Sequence, residues 1–148
     1  VVAPDAGFAK KARLYAMSLG CRLAIADKER SGHDEQAEVL EIIGDVQGHT
    51  AIVVDDFTIS AGTLCDVAAK LIERGAKEVY AVVSHGVFAE GAMARITDSG
   101  IVSLVTTDSV ETQPEPHCDK IEVVSVAPLF GEAIRRIHQR ESISVLFQ

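Results

Sequence analysis

Residues 50–64 read TAIVVDDFTISAGTL. A β-branched, apolar run, Thr50 to Val54, leads into two adjacent carboxylates, Asp55 and Asp56. A run that is apolar on both faces is expected of a central strand in a parallel sheet. After the acids comes a short stretch of small and hydroxyl-bearing residues, and then a stripe at helical spacing: Leu64, Val67, Ala68, Leu71 and Ile72, closed by Gly75. The segment therefore predicts strand, loop and helix in that order, with the acids at the carboxyl end of the strand.

The same alternation extends in both directions. Upstream, VVAP reads as a strand end. A helix follows from Phe8 to Leu19, with Phe8, Ala12, Tyr15, Ala16 and Leu19 on one face and Gly20 as its stop. CRLAIAD is a short buried strand ending at Asp27, and the charged KERSGHDEQ reads as an exposed loop. EVLEIIGDVQG suits a strand and a turn. Downstream, EVYAVVSHG is a strand, Glu90 to Ile96 a short helix, IVSLVTTD a strand, IEVVSVAP the last strand, and Leu129 to Gln139 the closing helix. Strand–helix alternation predicts an α/β fold: a mostly parallel twisted sheet flanked by helices on both faces, formed by residues 1–148 as one domain. In such sheets ligands sit beyond the carboxyl ends of the strands. That rule selects PDAG, DKER, DDFTISAGT and SHGVF.

The chain has 148 residues, 47% of them hydrophobic, with three cysteines and a net charge of −8. That is enough for one well-filled core and too apolar for disorder. The acidity argues against nucleic acid as a partner. No apolar run approaches the roughly 18 residues of a membrane span, so no membrane partner is expected. Cys21, Cys65 and Cys118 form no CxxC pair and read as reduced core thiols, in keeping with a cytoplasmic protein. The start, VVAPDAG, lacks both Met and a signal-peptide pattern, and the expectation is that a preceding portion is missing.

Ser60, Ala61, Gly62 and Thr63 lead into a helix N-terminus. Small residues there let backbone N–H groups approach an anion, the helix dipole adds to the attraction, and Thr58, Ser60 and Thr63 bring hydroxyl donors. A phosphate suits such a loop. The adjacent acids suit sugar hydroxyls, or a divalent cation between sugar and phosphate. The alternative is a capped helix preceded by two exposed acids, and for DKER a solvated charged turn. His85 ends a strand, where a site role and a structural hydrogen bond are both open. His33, His49, His117 and His138 lie in polar or helical-surface contexts and receive no chemistry.

IVVDDFTISAGT resembles the phosphoribosyl-binding motif of the type I phosphoribosyltransferase fold. APDAG, LAIADKER, EIIGDVQGHTAIVVDD, AGTLCDVAAKLIERGAKEVYAVVSHGVF and VVSVAPLFGEAIRRIHQRESISVLF together resemble, in order and over nearly the whole chain, the C-terminal half of the ribose-phosphate pyrophosphokinase (PRPP synthetase) family. The resemblance implies transfer of the pyrophosphoryl group of ATP to the 1-hydroxyl of ribose 5-phosphate, with Mg²⁺. It implies a second, N-terminal domain absent from this chain, and a dimer-based homo-oligomer that reaches a hexamer in this family. Carried over position by position, Asp55 and Asp56 hold the ribose hydroxyls and Ser60, Ala61, Gly62 and Thr63 the 5′-phosphate, with Thr58 beside them. Asp5 lies near metal and ribose, while Lys28 and Arg30 are the catalytic cations of a mobile loop that closes on the ATP phosphates. A PRPP-consuming phosphoribosyltransferase shares the loop motif but lacks the DKER and C-terminal matches.

Three positions depart from that pattern. Ile59 stands where the family has a further aspartate, Ser60 where it has Thr, and Glu29 where a basic residue is common. Ser60 keeps the hydroxyl. Loss of one carboxylate contact, typically about 1.5–3 kcal/mol, would weaken substrate binding roughly ten- to a hundredfold. The departures leave open a weakly active or inactive associated subunit.

Overall fold

The computed structural model describes residues 1–30, 38–111 and 118–147. Its strands are β1 (Val2–Ala3), β2 (Ala24–Arg30), β3 (Glu38–Ile43), β4 (Thr50–Thr58), β5 (Glu78–Gly86), β6 (Ile101–Thr107) and β7 (Ile121–Val124). Its α-helices are α1 (Ala9–Ser18), α2 (Gly62–Glu73), α3 (Ala92–Asp98) and α4 (Ala127–His138), and a 3₁₀ turn spans Ser144–Phe147. The seven strands form one sheet in the order β3-β2-β1-β4-β5-β6-β7. Every neighbouring pair is parallel except β2 with β3.

Side-chain alternation along the central strand sorts its residues between two cores. Ala51 and Val53 of β4 join Leu64, Val67, Ala68 and Leu71 of α2 and Met93 and Ile96 of α3. Val54, with Ile52 packed beside it, joins Phe8 and Ala12 against α1. Helices thus cover both faces, as the sequence predicts. In α1 the buried stripe is narrower than its spacing suggests: Ala12 and Ala16 are buried with Phe8, the N-cap, whereas Tyr15 and Leu19 are exposed. Ile72 likewise leaves the α2 stripe and faces solvent.

Two strands run further than expected. β2 continues through Asp27 to Arg30, paired antiparallel with β3 in the register Asp27↔Glu41, Lys28↔Leu40, Glu29↔Val39 and Arg30↔Glu38. Residues 28–30 are thus strand rather than loop, because an outer hairpin is held by its backbone ladder and needs no continuous apolar run. β4 holds Asp55 and Asp56 as expected and continues two residues past them to Thr58, with Phe57 and Thr58 in register with His85 and Gly86 of β5. Residues 31–37 and 112–117, with His33 and His117 among them, lie outside the described residues, as do the side chains of residues 28–30, 38 and 39.

The thiols divide by position. Cys118 is buried and Cys65 half-buried, but Cys21 is exposed, because β2 begins only at Ala24 and Cys21 falls in the preceding turn. α4 buries none of its residues, and Leu129, Phe130, Ile134 and Ile137 project into solvent. Among the described residues no helix is long and apolar enough to cross a membrane.

Candidate functional site

Strand order reverses between β1 and β4: the chain leaves β1 toward β2 on one side and leaves β4 toward β5 on the other. The connecting helices α1 and α2 therefore diverge to opposite faces, and a crevice opens at the carboxyl ends of β1 and β4. A cavity of about 460 Å³ occupies that place. Its lining includes Asp5 and Gly7 after β1, Asp55, Asp56 and Thr58 of β4, and Ser60 to Thr63 at the start of α2. Every residue from the first strand end and the acid–loop segment that the sequence singles out therefore meets here. Ile59, at the departure from the motif, also lines the cavity and is half exposed.

Each wall has a local cause. The Phe8 N–H donates to Asp5 Oδ1 at 2.8 Å, which fixes the turn into α1. A Cβ on Gly7 would lie 3.1 Å from that oxygen, so any side chain there would press on the carboxylate. The α2 N-cap is Ala61, in the left-handed region at φ 59°, and it has no side chain able to cap. The first N–H groups of a helix have no intrahelical acceptor. An anion at this end would supply what Ser, Thr or Asp supplies at most helix starts. Of those N–H groups, that of Gly62 donates to Ser60 Oγ at 3.3 Å.

The two aspartates differ in environment. Burial, with the nearby Asp56 and Asp5 carboxylates as further causes, pushes Asp55 up from 3.8 to about 6, against the opposing effect of the Asp56 N–H, which donates to Asp55 Oδ1 at 2.8 Å. Asp56 is held below the ordinary carboxylate range, chiefly because Lys11 Nζ donates to its Oδ2 at 2.6 Å. Lys11 comes from α1, 45 residues away in sequence, and lies 5.3 Å from the centre of the Phe8 ring. Its role was invisible in the sequence: a lysine on an amphipathic helix looks like any solvated charge.

Other nominated residues lie elsewhere. Lys28 and Arg30 belong to the β2–β3 hairpin. With Ala3 level with Ile25, β2 runs five residues past the end of β1, roughly 16 Å at about 3.3 Å per residue, on the same edge as the cavity. His85 does not line the cavity, and its Nδ1 is hydrogen-bonded to Ser109 Oγ at 2.7 Å, which favours the structural role. Among the described residues no group of three or more His, Cys, Asp or Glu side chains gathers as a metal centre. The donor set at the cavity still suits Mg²⁺, which keeps several waters and commonly takes only one or two carboxylates plus substrate phosphates.

The chain is similar to known proteins over nearly all of its length. The model of the phosphoribosyl synthetase-associated domain matches residues 34–148. The ribose-phosphate pyrophosphokinase of Caldanaerobacter subterraneus subsp. tengcongensis is 48% identical over 147 residues, covering 99% of this chain and 46% of that protein. That of Caulobacter vibrioides is 50% identical over 149 residues, covering 99% and 47%. The crystal structure of phosphoribosylpyrophosphate synthetase from Mycobacterium smegmatis superposes with a TM-score of 0.86 at 31% identity, over 94% of this chain and 44% of that one. The chain spans about half the length of the curated relatives it matches. By sequence pattern and by fold alike, the chain belongs to the phosphoribosyl synthetase-associated domain family.

Proposed function

We propose that this chain is the ribose 5-phosphate-binding domain of a two-domain ribose-phosphate pyrophosphokinase, which moves the pyrophosphoryl group of ATP to the 1-hydroxyl of ribose 5-phosphate. The observation that carries the reading is a cavity lined both by an acid pair and by a helix start whose N-cap, Ala61, has no capping side chain. Thr58, Ser60, Ala61, Gly62 and Thr63 surround the 5′-phosphate, while Asp55 and Asp56 accept hydrogen bonds from the ring hydroxyls. One strand and its following loop thus grip both ends of the sugar, and the 1-hydroxyl is presented at the open edge of the sheet. Phosphoryl transfer needs alignment and charge neutralisation more than covalent participation. Lys28 and Arg30, on the hairpin that extends past β1, neutralise charge on the transferring phosphoryl oxygens and help exclude water. Asp5, with Asp55 beside it, would hold Mg²⁺, which when bound neutralises phosphate charge.

The remaining half of the enzyme supplies the rest of the ATP site. The exposed apolar face of α4 is consistent with burial against further protein, in a dimer-based homo-oligomer of the cytoplasm. A second reading follows from Ile59, an apolar side chain on the cavity wall where the family motif has an acid: a weakly active or inactive associated subunit. Isothermal titration of ribose 5-phosphate with Mg²⁺ into the chain and into Asp56→Asn tests the site. Saturable binding, weakened about tenfold by the substitution, supports it. A folded protein that does not respond at millimolar ligand refutes ribose 5-phosphate binding by this domain alone.

A further inference from the structure

Three consecutive carbonyls precede the left-handed residue Ala61, and all three accept hydrogen bonds from one neighbouring segment. Thr58 O accepts from the Val87 N–H at 2.9 Å and Ile59 O from the Ala89 N–H at 2.8 Å. Ser60 O accepts from Nη1 of Arg95. None of these donors lines the cavity. The first two are backbone groups that almost any sequence would provide. The third depends on one side chain. Arg95 stands on α3, whose Ala92, Met93 and Ile96 are buried in the core, so the guanidinium is carried by an anchored element.

The consequence follows from peptide geometry. In a trans peptide the C=O and the next N–H point in opposite directions. A donor that holds Ser60 O toward α3 sends the Ala61 N–H the other way, toward the side where the loop lines the cavity. If that peptide turned over, a carbonyl oxygen would face the anion instead, replacing attraction with repulsion. The Ser60–Ala61 peptide is the one most in need of such restraint, because Ala at φ 59° lies in a region that alanine enters at a cost. Arg95 also places a cation behind the loop: a Cβ built on Gly62 would lie 3.9 Å from its Nη1.

We propose that Arg95 is a positioning residue for the anion-binding loop, acting through the Ser60 carbonyl rather than by touching the ligand. This rests on the reading of the cavity as a ribose 5-phosphate site. The test is calorimetric titration of ribose 5-phosphate and of inorganic phosphate into the wild-type chain, Arg95→Lys, Arg95→Gln and Arg95→Met, with a thermal melt of each. Arg95→Met is expected to weaken both ligands about tenfold, and Arg95→Lys, which keeps a charged donor, to recover most of the loss. Should Arg95→Met fail to fold, Arg95→Gln, too short to reach and uncharged, carries the same expectation. Wild-type affinity in a folded Met or Gln variant overturns the proposal. So does a loss that Arg95→Lys leaves unrecovered and that follows the fall in melting temperature, since that is the signature of a purely structural residue. Failure of the wild type to bind either ligand refutes anion binding by this domain alone, and the proposal with it.

Discussion

Asp55→Asn should make this protein more stable and poorer at binding, by amounts that depend on pH. The Asp55 carboxyl is pushed up from 3.8 to about 6, with burial as the leading cause and the Asp56 and Asp5 carboxylates adding to it. In the folded state the group therefore holds its proton over a range in which the unfolded chain has lost it. Its contribution to stability is most favourable below pH 3.8 and is lost as pH rises through about 6. At pH 8 the ionised carboxylate opposes folding. Two pH units at about 1.4 kcal/mol each set a ceiling of about 3 kcal/mol. The side chain is only half buried, so solvent screening brings the expected value to about 1 kcal/mol. Asparagine keeps the oxygen that accepts from the Asp56 N–H and removes the charge. For a chain of this length, about 1 kcal/mol raises the melting temperature by roughly 2–4 °C. Calorimetric melts at pH 8 and pH 4 make the comparison: the gain should appear at pH 8 and vanish at pH 4. Ribose 5-phosphate affinity of the same variant at pH 8 should fall ten- to a hundredfold, and wild-type affinity should weaken as pH drops below about 6. A variant no more stable than wild type at pH 8, or equally stabilised at both pH values, would refute the claim that burial of charge sets the behaviour of Asp55.

Lys11→Met removes the partner that holds the Asp56 carboxyl low, so its titration, followed by carboxyl carbon NMR, should move up toward the ordinary range. The pair is solvent-exposed, so the melting temperature should barely change. Ala61→Val forces a β-branched residue into the left-handed conformation at a buried position and should cost at least about 2 kcal/mol in urea unfolding. If it costs less than about 0.5 kcal/mol, the left-handed turn into α2 is not required by the fold.

Much of this architecture was written in local chemistry. Residues 51–54 do not alternate between apolar and polar. Ala51 and Val53 serve one face and Ile52 and Val54 the other, and that alone marks β4 as a central strand with helices on either side. The spacing of Leu64, Val67, Ala68 and Leu71 defines α2 in the same way, since a helix has to bury one stripe. The acid–loop segment was legible because its parts lie side by side in sequence and need only a strand and a turn to be presented together.

What the linear order could not express is which distant groups would meet. The polarity of residues 28–30 suggested a loop, because composition reports burial and says nothing of a backbone ladder; their pairing with β3 makes them strand. The exposure of Cys21 depends on β2 starting three residues later. Nothing along the chain sets Lys11 or Arg95 apart from the other cations. Lys11 reaches Asp56 only because α1 lies across the sheet from α2, and Arg95 reaches Ser60 only because α3 packs beside the start of α2. The sequence by itself determined the periodicities, the strand–loop–helix unit and the chemical types available at the crevice, because these depend on neighbours along the chain. The tertiary structure decided where the strand order reverses, which carboxylate is buried and which is paired, and which cation holds the loop, because each depends on contacts between residues far apart in sequence.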